Sequence, residues 1–206
     1  MAAQSKSRLL PILLIVGAFL LFGDKILGGA QSVLDDIGGE TNDDYTVASG
    51  GQPLVSRCTA DQVLEERKCG DLKIVIIDAA KMPFIARNIQ LAWREGKQFI
   101  LHKSAPGSEQ ERRAAACGPR IFAAKFDQGS CDEYPFASTQ EGGSGARIEE
   151  VPLREQNCQG GTLRQEYRRA QINEGTEFLV VITSPSMIAT SAYAGVDIAK
   201  DQSCAN

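Results

Sequence analysis

Six cysteines constrain the fold of this chain more than any other feature of its sequence. They are widely spaced, and none belongs to a C-x-x-C pair of the kind that holds zinc: Cys58, Cys69, Cys117, Cys131, Cys158 and Cys204. An even number of cysteines in an exported chain indicates disulfide bonds, and six cysteines can pair in 15 ways. Proximity along the chain favours Cys58–Cys69 and Cys117–Cys131, which leaves Cys158–Cys204. We therefore expect three disulfides that stabilise a small domain.

The N-terminal segment predicts export. Two basic residues precede an apolar run from Leu9 to Phe22, and small residues follow at positions 28–30. This layout is typical of a secretory signal peptide, and the run is shorter than the ~20 apolar residues of a membrane span. We interpret residues 1–30 as a signal peptide, with an uncleaved membrane anchor over residues 9–27 as the alternative. Either reading predicts a secreted or extracytoplasmic protein.

Acidic residues and glycines dominate the next stretch. Residues 31–50 hold five acids, no basic residue and the pair Gly38-Gly39. This composition is typical of a solvated, flexible linker. We place an acidic linker at residues 31–52 and a folded domain at residues 53–206. Acidic and basic residues nearly balance beyond residue 50, so the charge neither requires nor excludes a polyanionic partner.

Hydrophobic patterning beyond the linker predicts an α+β fold with a small mixed sheet. Runs of apolar residues predict strands at 73–78, 98–103 and 177–183, and a weaker alternation predicts one at 146–151. Helical spacing and capping residues predict helices at 83–95, 108–116 and 160–170. We interpret residues 126–145 as turn-rich and residues 184–206 as an extended tail held by Cys204.

A single histidine, His102, narrows the possible chemistry. It excludes an H-E-x-x-H motif and a Cys₂His₂ zinc site, and any Ser-His-Asp triad would have to use it. No G-x-x-x-x-G-K-[ST] or G-x-G-x-x-G string occurs, so a P-loop or dinucleotide-binding fold has no support. We interpret His102 as structural, because it lies at a predicted strand end outside the two stretches described next.

Two stretches combine carboxylates, amides and glycines. Asp132, Glu133 and Glu141 lie within residues 131–143, and Asn157 lies in a second stretch before a predicted helix. Paired carboxylates can share a metal ion or raise one another's pKa, as a general base requires. Carboxylate and amide oxygens also suit Mg²⁺ or Mn²⁺. Such residues belong more often to solvated turns than to active sites, so composition alone does not establish a site.

The string CDEYPFASTQEGG at 131–143 resembles the signature of the NucA/NucB deoxyribonucleases, a family of secreted non-specific endonucleases. The similarity extends in order over residues 70–183. It includes Leu101-His102-Lys103, the Arg112-Arg113 pair before Cys117, and the stretch from Gln156-Asn157 to Tyr167-Arg168. We identify the chain on this basis as a member of that family.

The resemblance implies a ββα-metal core, in which two strands and a helix surround one divalent ion, Mg²⁺ or Mn²⁺. It implies hydrolysis of DNA phosphodiesters without sequence preference, with RNA as a further candidate substrate. Asp132 matches the position of the general base, and Asn157 that of a metal ligand at the start of the helix. Glu133 and Glu141 match family carboxylates that would hold the waters of the metal, or the metal itself for Glu141, or raise the pKa of Asp132.

Basic side chains are the candidates for holding the substrate through its phosphates. We predict this role for Arg112, Arg113, Arg154 and Arg168, although solubility and surface pairing explain any one of them equally well. We expect a monomer, and a membrane partner only if the N-terminal segment is not cleaved.

Two alternative functions remain open. A catalytically silent nucleic-acid-binding or interaction module could share the fold, and the acidic net charge of −4 mildly favours it. A glycosidase could use Glu133 and Glu141 as its two carboxylates. The low aromatic content of 6%, with one Trp, disfavours a sugar cleft.

Overall fold

The computed structural model describes residues 44–204. The predicted signal peptide or anchor, and the predicted linker up to residue 43, lie outside the described residues. The end of the predicted linker range is regular structure. Tyr45–Thr46 is a strand, paired through Thr46 with Ile182, and a 3₁₀ turn follows at Ser49–Gly51. The structure thus differs from the prediction of a linker up to residue 52.

The described residues form a mixed α+β domain, as predicted. Its strands are β1 (Tyr45–Thr46), β2 (Lys68–Cys69), β3 (Leu72–Asp78), β4 (Ile100–His102), β5 (Gly129–Tyr134), β6 (Arg147–Pro152) and β7 (Glu177–Thr183). Its α-helices are α1 (Gln52–Val55), α2 (Ala60–Leu64), α3 (Pro83–Arg94), α4 (Glu109–Cys117) and α5 (Leu153–Arg169).

Strand β7 is the centre of a five-stranded sheet. It pairs in parallel with β3 along one edge, and β2 continues the sheet beyond β3. Along its other edge, β7 pairs antiparallel with β4 near its start and with β1 near its end. The strongest apolar run in the sequence therefore occupies the position with most strand partners.

The central strands are covered on both faces, which explains why their apolar runs are continuous rather than alternating. Val75 and Ile77 of β3 pack in the same cluster as Ile85 of α3. Ile74 of β3 packs on the opposite face with Val63 of α2. Pro83 occupies the first turn of α3, where its missing N–H costs no helical hydrogen bond.

A β5–β6 hairpin followed directly by α5 forms a ββα unit. The sequence prediction was wrong here in two respects. Residues 129–134 form strand β5 within the region predicted as turns, and α5 begins at Leu153 rather than near residue 160. Strand β5 was not predicted because it buries polar side chains such as Asp132 and therefore lacks an alternation of apolar and polar residues.

The three predicted disulfides are present: Cys58–Cys69, Cys117–Cys131 and Cys158–Cys204. The second joins the end of α4 to β5, and the third joins α5 to the C-terminal tail. Two of the three cross-links therefore secure the ββα unit. Within residues 44–204, the helices lack the combination of length and apolar character that crossing a membrane requires.

Candidate active site

Asp132 lies on β5 with its side chain fully buried. Its Oδ2 accepts a hydrogen bond from Asn88 Nδ2 of α3 at 2.8 Å, and its Oδ1 accepts one from Gln159 Nε2 of α5 at 2.8 Å. Burial, together with the neighbouring negative charge of Glu133, raises the pKa of Asp132 to about 7. Two neutral donors thus hold a carboxyl group that can exchange a proton near neutral pH.

Arg147 of β6 fixes the direction of the Asn88 amide. Its Nη1 donates to Asn88 Oδ1 and, at 2.7 Å, to Glu149 Oε2, while its Nε donates to Glu95 at 2.9 Å. Because a guanidinium has donors and no acceptor, the amide oxygen must face Arg147. The NH₂ group of Asn88 is thereby directed to Asp132.

Glu155 is a second fully buried carboxyl group, one helical turn before Gln159 on α5. Its Oε2 accepts hydrogen bonds from the backbone N–H groups of Phe84 and Ile85, at 3.0 and 3.1 Å, and so caps the N-terminus of α3. Burial raises the pKa of Glu155 to about 8. Sequence reasoning did not single out this residue.

Two buried oxygen atoms on the first turn of α5 lack a hydrogen-bond donor. They are Glu155 Oε1 and Gln156 Oε1. Arg154 Nη2 lies 3.7 Å from Glu155 Oε1. Unsatisfied buried acceptors are rare because they lose their hydration without compensation. Carboxylate and amide oxygens are the kinds of ligand that suit a hard divalent cation.

Glu133 points away from Asp132, because successive residues of a strand face opposite sides. Its Oε2 pairs with Arg113 Nη1 of α4 at 2.6 Å, and Arg113 Nη2 also donates to the Cys131 carbonyl. Burial raises the pKa of Glu133, and Arg113 opposes that shift. The structure places Glu133 beside α4, and its charge affects Asp132 through proximity alone.

Glu141 is likewise separate from Asp132. Its Oε1 lies 2.7 Å from His102 Nδ1, and its Oε2 accepts a hydrogen bond from the His102 N–H at 3.0 Å. Glu141 therefore secures the end of β4. The structure does not bring it to Asp132 as a metal ligand, and it gives Glu133 and Glu141 different partners.

Asn157 is exposed on α5. It is two residues from both Glu155 and Gln159, and residues with that spacing lie on opposite sides of a helix. Because α5 begins at Leu153, Asn157 lies within the helix rather than at its start. The structure therefore does not bring Asn157 to Asp132. With the correct helix start, the spacing of the buried residues would have revealed the inner face: Glu155, Gln159, Thr162 and Glu166.

Three of the four predicted phosphate-binding arginines are engaged within the protein. Arg112 donates to the carbonyl groups of Gln140 and Gly142, Arg113 pairs with Glu133, and Arg154 pairs through two nitrogens with Asp197. Arg168 is exposed on α5.

One group of three potential metal-ligating side chains lies within ligand distance among residues 44–204, namely Cys117, Cys131 and Glu133. The two cysteines form a disulfide, so they cannot act as thiolate ligands. Glu155 and its neighbours are therefore the better candidates for a cation.

Comparison with protein families bears directly on this geometry. The model of the family described as Deoxyribonuclease NucA/NucB matches residues 89–181. This part of the chain belongs to the NucA/NucB deoxyribonuclease family. The matched residues include Asp132, Glu155 and Gln159. The match confirms the resemblance seen in residues 131–143. A search of curated proteins found no match to the chain. Family membership supports a nuclease that acts on DNA.

Proposed function

We propose that this protein is an exported, metal-dependent endonuclease that hydrolyses DNA phosphodiester bonds without sequence preference. The observation that carries the proposal is the pair of buried carboxyl groups, Asp132 and Glu155, on the ββα unit of a NucA/NucB domain. RNA is a second candidate substrate, because contacts to phosphates do not distinguish the two nucleic acids. The disulfides support an oxidising compartment and hence export.

Asp132 is the proposed general base. A carboxylate with an ordinary pKa near ~4 is a weak base at neutral pH, and burial raises the pKa of Asp132 to about 7. The hydrogen bonds from Asn88 and Gln159 hold both oxygens in a fixed direction. Asp132 would accept the proton of the attacking water from that fixed position.

Glu155 replaces Asn157 as the proposed metal ligand. Its Oε1 is buried and lacks a hydrogen-bond donor, while its Oε2 is held by the N-terminus of α3, so one positioned oxygen has no hydrogen-bond partner. Gln156 Oε1 offers a second oxygen on the same turn. Mg²⁺ commonly binds one or two carboxylates and keeps several waters, which fits this small set. When bound, a divalent ion stabilises negative charge on the phosphate and on the leaving oxygen.

The test is degradation of supercoiled plasmid by the purified, oxidised protein with Mg²⁺ or Mn²⁺, and with EDTA. We expect degradation that depends on the ion. Asp132→Asn should lower the cleavage rate by about 100-fold or more, and Glu155→Gln should need a higher Mg²⁺ concentration for the same rate. Glu155→Gln retains an acceptor for the N–H groups of α3. Asn157→Ala is the matched control on the outer face of α5, and it should retain activity.

Two results would contradict the proposal. Loss of activity in Asn157→Ala with full activity in Glu155→Gln would return the metal-ligand role to Asn157. A folded, oxidised protein that binds DNA but does not cleave it, whichever ion is added, would establish the silent binding module instead.

A further inference from the structure

A groove with a volume of about 500 Å³ lies between α3, β6, the segment before β5 and the C-terminal tail. Aromatic and basic side chains contribute to its lining: Phe122, Phe126, Tyr193, Arg87, Lys125 and Arg147. We call this feature the aromatic groove. None of its aromatic side chains has a part in the proposed chemistry at Asp132.

The aromatic groove adjoins Asp132 through two of its lining residues. Arg147 donates to Asn88, which itself donates to Asp132. Glu149 is the cross-strand partner of Asp132 in the hairpin, so both side chains lie on the same face. A molecule in the groove would therefore lie beside the proposed reaction site.

Phe126 is fixed in position although 37% of it is exposed. Its ring packs edge-on against Tyr193, with centroids 5.5 Å apart, and a Cβ at Gly195 would lie 3.1 Å from its Cδ1. Glu150 Oε1 accepts the backbone N–H groups of Lys125 and Phe126 at 2.9 and 3.0 Å. An exposed aromatic ring held in this way is a surface on which a base can stack.

Charged side chains of both signs line the groove, with Glu149 and Glu150 beside the three cations. Arg87 and Arg147 pair with Glu149, and Arg147 also pairs with Glu95, so both arginines are neutralised within the protein. Lys125 is an exposed cation at the rim, next to Phe126 in the chain. A cation beside an aromatic ring suits a phosphate and a base of a nucleic-acid strand.

We propose that the aromatic groove holds a nucleotide of the substrate strand next to the scissile phosphodiester. Its base packs against Phe126, and its phosphate lies near Lys125. A base reaches such a site only when it is unstacked, so single-stranded or locally unpaired DNA is the preferred substrate. This inference rests on the proposed nuclease function, because it assigns the groove to the same strand.

The test measures binding separately from cleavage. Fluorescence anisotropy with the Asp132→Asn protein and Mg²⁺ would compare a labelled thymidine oligonucleotide, an abasic strand of equal length and charge, and a duplex. We expect the thymidine strand to bind about ten-fold more tightly than the abasic strand. Phe126→Ala should remove that difference, and so should Phe126→Leu, which keeps apolar packing against Tyr193 but lacks a ring.

Two controls separate stacking from charge. Lys125→Ala should weaken binding of both strands equally and reduce the slope of log affinity against log salt by about one. Met187→Ala removes an exposed apolar side chain outside the groove and should change neither affinity.

Equal affinity for the thymidine and abasic strands would overturn the inference, and so would base discrimination that survives in both Phe126 variants. Base-dependent binding by a protein that cleaves no DNA would support nucleotide binding in the groove and refute the proposed nuclease function. Cleavage without base-dependent binding would refute nucleotide binding in the groove alone.

Discussion

Gln159 Nε2 donates a hydrogen bond to Asp132 Oδ1 over 2.8 Å and so joins α5 to the first strand of the hairpin. Its own Oε1 accepts a hydrogen bond from Gln156 Nε2 at 3.2 Å, which fixes the direction of the amide. Glu155 precedes Gln159 by one turn, so the same face of α5 carries both residues. One helix therefore positions the proposed base and offers the proposed metal ligand.

Gln159→Ala should lower the rate of DNA cleavage by about ten-fold and move its pH dependence upward. The amide donor lowers the pKa of Asp132, so its loss raises that pKa further and the base is deprotonated only at higher pH. The measurement is kcat/KM against pH. Asn157→Ala controls for helix perturbation, and an unshifted profile in Gln159→Ala would show that the amide does not position the base.

Arg113→Ala should destabilise the fold by about 2 kcal/mol, because it leaves the buried Glu133 carboxylate without its charge partner. The 38% exposure of the Arg113 side chain keeps the cost at the lower end of the range for buried pairs. The double variant Arg113→Ala/Glu133→Gln should recover part of this loss. Urea unfolding of the wild type, Arg113→Ala, Glu133→Gln and the double variant measures the coupling, and strictly additive losses would show that the two side chains do not stabilise one another.

The metal-free protein should lose stability as pH rises from 5 to 8. Burial raises the pKa of Asp132 to about 7 and that of Glu155 to about 8, so the folded state binds more protons than the unfolded state across this interval. Unfolding stability therefore falls with increasing pH until both groups are ionised. Thermal unfolding in EDTA measures the effect.

Two variants, and the addition of Mg²⁺, test which groups cause that pH dependence. Asp132→Asn and Glu155→Gln should each flatten the profile, because each removes one of the two buried ionisations. Added Mg²⁺ should raise the melting temperature most at pH 8, because the ionised fraction of Glu155, which can bind the ion, is largest at that end of the interval. A profile unchanged by both substitutions would assign the pH dependence to other groups.

The sequence was sufficient to predict the sheet centre and α3. Strands β3 and β7 carry continuous apolar runs because both of their faces are covered, and Pro83 marks the start of α3. The pairing of Cys158 with Cys204 followed from proximity among the other four cysteines. Strand β5 could not be predicted from periodicity, because its buried positions include Asp132 and Glu133.

The candidate site was predictable only in part. Asp132 followed from the resemblance of residues 131–143, and the structure places its carboxyl group in a buried, hydrogen-bonded setting. Glu155 was missed because the start of α5 was placed too late, near Gly160, which concealed the inward face of the first two turns. The partner Asn88 lies 44 residues from Asp132, and only tertiary packing brings the two together.

The Cys158–Cys204 disulfide should support activity as well as stability. It closes a sequence separation of 46 residues and holds the tail that carries Tyr193 of the aromatic groove and Asp197, the partner of Arg154. Cys158→Ser/Cys204→Ser should lower the free energy of unfolding by about 2–4 kcal/mol and weaken cleavage of single-stranded DNA at temperatures where the protein stays folded. Cys58→Ser/Cys69→Ser is the matched control, since it removes a disulfide with a separation of 11 residues whose cysteines lie outside the groove. Equal kcat/KM for the two folded double variants would show that the tail disulfide acts on stability alone.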